Sequence, residues 1–135
     1  MLTIDTNIWA YYLDSESPLH DRVAPAVEHA LKTEQIAINT VIVMEVSHFL
    51  VKNLGPIEGG ERLATFLGYP FTILDFDYRS ALDAVEMLKR YSHLGIGGRD
   101  ATILGMMERL KMKGIMTHDD ALKKVDWLEA VDPAA

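Results

Sequence analysis

Short apolar runs of strand character recur along this sequence, with helical patterns filling the intervals, and that alternation leaves few folds open. Leu2 and Ile4 lie in the first run, Gln35 to Asn39 form the second, Phe71 to Leu74 the third, Ile115 and Met116 a brief fourth, and Trp127 to Val131 the fifth. A first helix opens at Thr6 and Asn7 and reaches Leu13. The second starts at Ser17-Pro18, a capping hydroxyl followed by proline at the first helical position, and carries Ala24, Val27 and Leu31. Asn39 or Thr40 caps a third helix that ends near Leu54 at Gly55-Pro56, and Leu63, Ala64, Phe66 and Leu67 mark a short one before Gly68. From Asp77 a helix carries Ala81, Leu82, Val85 and Leu88. The Gly95-Ile96-Gly97-Gly98 loop leads to another from about Asp100, which ends with Lys111, Lys113 and Gly114, and a turn or two begins at Asp119 or Asp120. Strands joined through helices call for a parallel sheet covered on both faces. The expected fold is therefore α/β, three layers (α/β/α) around a five-stranded parallel sheet.

No shift in composition divides the 135 residues, so residues 1–135 are expected to form a single domain, long enough to bury roughly two thirds of its unfolded surface. The absence of cysteine rules out disulfides, thiolate zinc sites and cysteine nucleophiles, and it fits a cytoplasmic protein. No basic segment precedes an apolar one at the start, and the longest apolar run is Ile8 to Leu13; neither a signal peptide nor a membrane span is expected. Twenty acids against 13 bases give a net charge of −7, which argues against a broad electrostatic grip on nucleic acid. Phosphate chemistry on such a chain must recruit positive charge. A divalent cation held by carboxylates is one source; Lys111 with Lys113, or Lys123 with Lys124, is another.

Four acids stand out by position. Asp5 follows the first strand, and Glu45, Asp100 and Asp119 fall at what read as equivalent strand-to-helix junctions, on the edge of a parallel sheet where ligands bind. Singly, Asp5, Asp100 and Asp119 each read as a helix N-cap, and Glu45, with His48 and Lys52 at three and seven residues, as a polar stripe facing water. As a set they carry chemistry. Four carboxylates gathered together repel and raise one another's pKa unless a cation sits among them. Mg²⁺ or Mn²⁺ suits such oxygen donors, and the chemistry implied is metal-assisted hydrolysis of a phosphodiester.

Asp5-Thr6-Asn7 after the first strand, Glu45 early in the third helix, Arg99-Asp100-Ala101 opening a helix and Thr117-His118-Asp119 after a short strand together resemble the four acidic motifs of PIN-domain nucleases. The resemblance covers nearly the whole chain. In size and motif order it is similar to the small bacterial and archaeal toxins of the VapBC type. It implies a Mg²⁺- or Mn²⁺-dependent endoribonuclease, held as a homodimer and silenced by a cognate antitoxin. By match to those motifs Asp5 and Asp100 are the direct metal ligands; Glu45 and Asp119 complete the acidic pocket through waters or a second ion, with Glu45 orienting the attacking water. Asn7 is the polar support of the Asp5 turn and Thr117 that of the pocket. The fourth motif departs from the pattern, with Asp120 adjacent to Asp119 and Ala121-Leu122 following, so the division of labour between those two acids stays open.

Rival readings are weaker. A stand-alone nuclease of RNA processing, or a PIN interaction module that no longer cuts, would share the same fold. Glu45-x-x-His48 is half of a di-iron site, which needs two such pairs on a four-helix bundle. An aspartyl phosphatase wants a second Asp where Asn7 stands. The Gly95 to Gly98 loop lacks the preceding strand of a phosphate-binding loop, and the histidines show no ligand spacing. The first helix, with Ile8, Trp9, Tyr11, Tyr12 and Leu13, is apolar almost all round, so either the second helix covers it or it offers a partner surface.

Overall fold

The computed structural model describes all residues from Met1 to Ala135. Five short strands, β1 (Leu2–Ile4), β2 (Ala37–Asn39), β3 (Thr72–Leu74), β4 (Gly114–Met116) and β5 (Glu129–Val131), alternate with six helices. These are α1 (Thr6–Leu13), α2 (His20–Thr33), α3 (Thr40–Leu67), α4 (Tyr78–Tyr91), α5 (Gly98–Leu110) and α6 (Asp120–Lys123), with a 3₁₀ turn at Ser92–Leu94. All strand pairs are parallel, as the helical crossovers require.

The ladder is not the continuous five-stranded sheet expected. β1, β4 and β5 form one three-stranded unit with β4 in the middle, and β2 pairs only with β3. A single bridge, Leu2 to Ile36, joins the two. The break has a local cause: the buried hydroxyl of Thr3 donates to the Ala37 carbonyl at 2.7 Å, so a side chain stands where a ladder amide would. The chain thus steps from β1 outward through β2 to β3, then back to β4 and β5 on the other flank. Right-handed crossovers in opposite directions place α1 to α3 on one face and α4 and α5 on the other. The reversal happens at β1, and the carboxyl end of β1 is where Asp5 stands.

Most of the core lies under these helices. Ile4, Ile8, Ile38, Ile42, Leu50, Leu104 and Ile115 are fully buried, and Trp9 is enclosed by Tyr12, Phe66, Tyr69 and Phe71 with ring centroids 5.0 to 6.4 Å away. The apolar surface of α1 is thereby spent inside the chain, against α2, α3 and the segment before β3. Only Tyr11 and Tyr12 remain half-exposed, and Tyr12 stacks on His20. The start of α2 falls at His20, two residues beyond Pro18, because Leu19 in the helical region takes the cap position without a side-chain bond. No helix is long and apolar enough to cross a membrane.

Gly55-Pro56 does end a helix, but the next begins at once rather than near Leu63. Gly55 takes φ +82° with ψ 169°, an extended region at positive φ that is essentially confined to glycine and costs other residues on the order of 1–3 kcal/mol, and the two halves of α3 meet there at a kink. The second half folds back against the first so closely that a Cβ on Gly59 would lie 2.5 Å from the Leu50 carbonyl oxygen, whereas one on Gly60 would meet nothing. Phe66, which closes over Trp9, is carried by that second half. Gly59→Ala should therefore destabilise the protein by roughly 1–3 kcal/mol through overpacking against backbone, while Gly60→Ala should be neutral or stabilise slightly. Thermal melts of the two variants check this, and equal melting temperatures would remove the close approach as a determinant of the kink.

Candidate active site

The site is assembled at the carboxyl edge of the sheet. Asp5 directly follows β1, is 3 % exposed, and its two oxygens have different partners: Oδ1 accepts from the Thr6 amide at 2.8 Å and Oδ2 from the Thr117 hydroxyl at 2.7 Å. An ordinary N-cap serves the second or third amide of its helix, so Asp5 is held for more than capping α1. Thr117 is fully buried just after β4, and its oxygen also accepts from the Asp119 amide at 3.0 Å. One threonine thus ties the tips of β1 and β4 together and shapes the turn that presents Asp119. Asp119 does cap α6, accepting from the Ala121 and Leu122 amides at 2.8 and 3.1 Å through Oδ1 alone. Asp120 is exposed and pairs with Lys123, which separates it from Asp119 in role.

Asp100 is not a cap. The helix α5 begins at Gly98 with Gly97 as its N-cap residue, which puts Asp100 on the third position, reaching back to the Gly97 amide. Nor does it follow a strand, since α4 and the 3₁₀ turn lie between it and β3. It reaches the sheet edge because the Gly95 loop returns the chain beside α6, where a Cβ on Gly95 would touch Ala121. Asn39, at the end of β2, ties α5 to α3: its Oδ1 caps α3 by accepting from the Ile42 amide at 2.9 Å, and its Nδ2 donates to the Thr102 carbonyl of α5 at 3.3 Å.

Electrostatics records how close the acids are. Burial pushes the Asp100 carboxyl up to about 6, with the charges of Asp119 and Asp5 adding to the rise. Asp5 is also raised, first by burial, against the lowering effect of its bonds to Thr117 and Thr6, with Asp119 a smaller raising influence. Glu45 is raised by burial and, more weakly, by Asp5, while Arg99 pulls the other way. Asp100 thus feels the charges of Asp119 and Asp5, Asp5 feels that of Asp119, and Glu45 stands on their flank beside Asp5. Its Oε1 accepts from the Thr6 hydroxyl at 3.1 Å and its Oε2 pairs with Arg99 Nε at 3.0 Å. No three of the carboxylates are drawn into a coordinating cluster in this arrangement. Glu45 is held by Arg99, and one Asp119 oxygen is held by the α6 amides.

Asn7 makes no bond to Asp5, so the expected support of that turn comes from Thr6 and Thr117 instead; the Asn7 Oδ1 is buried without a partner. Thr6 and Arg99 are the two residues whose roles the sequence did not disclose. Beside Glu45 opens a cleft of about 440 Å³ between α1 and α3, lined by Asn7, Tyr11, His48, Lys52 and Arg99 among others. The lysine clusters do not serve the acids: Lys111 and Lys113 lie before β4, at the sheet's amino end, and Lys123 is paired with Asp132 and Asp120. His118 is likewise occupied, its Nδ1 lying 2.8 Å from Asp132.

Comparison with known proteins bears on the fold and the family. No curated protein sequence matches the chain significantly. Its fold is similar to that of a chain in the VapBC2 complex of Rickettsia felis bound to promoter DNA, with TM-score 0.75 at 20% identity over 97% of each chain. It is similar too to VapC20 of Mycobacterium tuberculosis, described as a sarcin-ricin loop cleaving toxin, with TM-score 0.74 at 15% identity over 92% of this chain and 95% of that one. A chain of FitAcB from Neisseria gonorrhoeae superposes with TM-score 0.72 at 20% identity over 98% of both. Residues 2–128 match the family model of the PIN domain, and the chain belongs to that family.

Proposed function

We propose that this protein is a divalent-metal-dependent endoribonuclease, the toxin of a toxin–antitoxin pair. The observation that carries the reading is the gathering of acids at the carboxyl edge of a parallel sheet, with Asp5 and the Asp119 turn both tied to the buried Thr117 hydroxyl, Glu45 tied to Thr6 next to Asp5, and Asp100 buried beside them. A structural relative described as part of a toxin–antitoxin complex supports the biological half, and another described as a sarcin-ricin loop cleaving toxin supports the choice of RNA as substrate.

The donor set fits Mg²⁺ or Mn²⁺. It offers hard carboxylate oxygens on Asp5, Asp100 and Glu45 that burial holds above the usual carboxylate range, so a cation would be welcome among them, and the unpartnered Asn7 Oδ1 adds a neutral oxygen. Bound there, the ion supplies charge stabilisation at the scissile phosphate and a more acidic attacking water. Asp5 and Asp100 are assigned to hold it directly, and Glu45 and Asp119 to complete the pocket through waters or a second ion. Thr117 keeps Asp5 and the Asp119 turn in register, and Thr6 steadies Glu45, which orients the water once Arg99 releases it. The Glu45–Arg99 pair is the one feature that favours the alternative, a PIN module that binds without cutting.

Two partners complete the proposal. An antitoxin would place a cation against the same acids, where Arg99 already supplies one. A second copy of the chain would cover the exposed stripe of Tyr78, Leu82 and Val85 on α4, four and three residues apart, with Ile73 on the edge strand just before it. The protein would then work in the cytoplasm as a homodimer.

Cleavage of RNA in Mn²⁺ should be abolished by EDTA and by Asp100→Asn in a variant that remains folded. Undiminished cleavage by that variant, in a preparation free of contaminating nuclease, rejects the mechanism. The same substitution has a pH signature in metal-free protein. A carboxyl raised from 3.8 to about 6 binds its proton more tightly folded than unfolded, so stability falls as pH rises between those values. Asp100→Asn in EDTA should therefore melt several degrees above the wild type at pH 7.5 and gain little at pH 4. A uniform shift at both pH values would show that charge is not the cause. For the dimer, Leu82→Arg should yield monomers by sedimentation velocity that still unfold cooperatively, with a melting temperature that no longer depends on protein concentration; an unchanged sedimentation coefficient moves the interface elsewhere.

A further inference from the structure

The cleft beside Glu45 has a composition that the acids do not explain. Two helices rise from the sheet edge side by side and each turns one face into it. Thr6, Asn7, Ala10 and Tyr11 come from α1, and Glu45, His48, Phe49, Lys52 and Asn53 from α3, both sets at helical spacing; Arg99 closes the mouth from α5. The floor therefore begins at the catalytic acids and runs outward. Over the seven residues from Glu45 to Lys52 the helix rises about 10 Å, enough to reach a phosphate neighbouring the scissile one.

Charge in the cleft is the reverse of the molecule's. In a chain of net charge −7, the only carboxylate among the lining residues is Glu45, which Arg99 neutralises. Lys52 has no ion-pair partner, and Arg99 uses only Nε on Glu45. The Tyr11 ring is held edge-on by His118, centroids 6.1 Å apart, and that histidine is anchored by Asp132. The Tyr11 hydroxyl makes no hydrogen bond in the chain, leaving an amphipathic ring fixed in a wet wall. Aromatic faces that stack bases, beside cations that follow the backbone, are how proteins hold single-stranded nucleic acid without pairing.

We infer that the α1–α3 cleft is the subsite for a single-stranded RNA segment flanking the cut, with Lys52 and Arg99 on its phosphates and Tyr11 stacking an unpaired base. The inference rests on the nuclease reading for its substrate and stands apart from it in its test. Local positive charge limited to this wall also reconciles RNA as substrate with an acidic protein, because contact is made only where the strand must lie.

The test is fluorescence anisotropy with a labelled single-stranded oligoribonucleotide, titrated with the full-length protein in EDTA so that nothing is cut. Lys52→Gln should weaken binding several-fold and lower the slope of log affinity against log salt by about 0.7, the value for one lost phosphate contact on a single strand. Tyr11→Ala should weaken it roughly tenfold, and Tyr11→Phe, which keeps the ring, should restore it. Lys113→Gln, at the opposite end of the sheet, should bind as the wild type does. Wild-type behaviour of both Lys52→Gln and Tyr11→Ala, an equal loss in Lys113→Gln, or equal affinity for an RNA duplex each overturns the subsite. If Mn²⁺-dependent cleavage is absent yet the expected binding pattern holds, the nuclease reading fails and the cleft stands as a single-stranded RNA site without a cut beside it; cleavage with the pattern absent overturns the cleft and keeps the nuclease.

Discussion

Carboxylates crowded at low exposure repel, and the rest of this molecule is arranged to hold them together regardless. The bond from the Thr117 hydroxyl to Asp5 is the central restraint. It is buried, 2.7 Å long, and spans 112 residues of sequence to join the tips of two adjacent strands. Since the same hydroxyl oxygen accepts from the Asp119 amide, two of the acids share one anchor. Asn39 performs the corresponding service for α5, linking the end of β2 to the helix that carries Asp100. A hydrogen bond to a charged acceptor contributes about 1.5–3 kcal/mol, which offsets part of the cost that burial imposes but not all of it, since Asp5 and Asp100 both stay raised, and a cation would make up the difference.

Arg99 gives the site its asymmetry. It adjoins Asp100 in sequence yet spends its Nε on Glu45, and it is the cation that lowers Asp5, Glu45 and Asp100 alike. With Arg99 more than half exposed and Glu45 largely covered, the pair is a rim contact whose strength water limits, and it can be exchanged for another ligand at modest cost. Glu45 is thereby held beside the other acids by Thr6 and drawn away from them by Arg99. A site in that balance responds strongly to whatever positive charge arrives, be it a metal ion or a basic side chain of a partner.

Elements governed by local chemistry were legible in the sequence. Asp5 after a three-residue strand, Glu45 early in a helix capped by Asn39, the stop at Gly55-Pro56 and the cap role of Asp119 all depend on neighbours a few residues away. The stripe of Glu45, His48 and Lys52 was legible as well, although it faces a cleft rather than open water. What escaped depends on distant partners. The Thr6 hydroxyl on Glu45 spans 39 residues, and nothing in a Thr-Asn dipeptide announces it. Asp100 read as a cap because Asp before an apolar run usually is one, whereas Gly97 and Gly98 let α5 start earlier and moved it inside the first turn. The five-stranded sheet failed at one junction for a similar reason, since only the structure reveals that the Thr3 hydroxyl takes the Ala37 carbonyl.

The kink of α3 links packing to the site. Its first half carries Glu45, Phe49 and Lys52 along the cleft; its second half brings Phe66 over Trp9, and so holds α1, which forms the other wall. Without the positive φ at Gly55 a straight helix of this length would run about 40 Å and leave the sheet behind, and Trp9 would lose the ring that closes its pocket. Gly59 then sets how tightly the two halves meet, because only a residue without a Cβ fits against the Leu50 carbonyl. The width of the cleft is thus fixed from behind, by two glycines that touch neither the acids nor the cleft. Substitutions there can change how a strand of RNA is seated without altering a single group that contacts it.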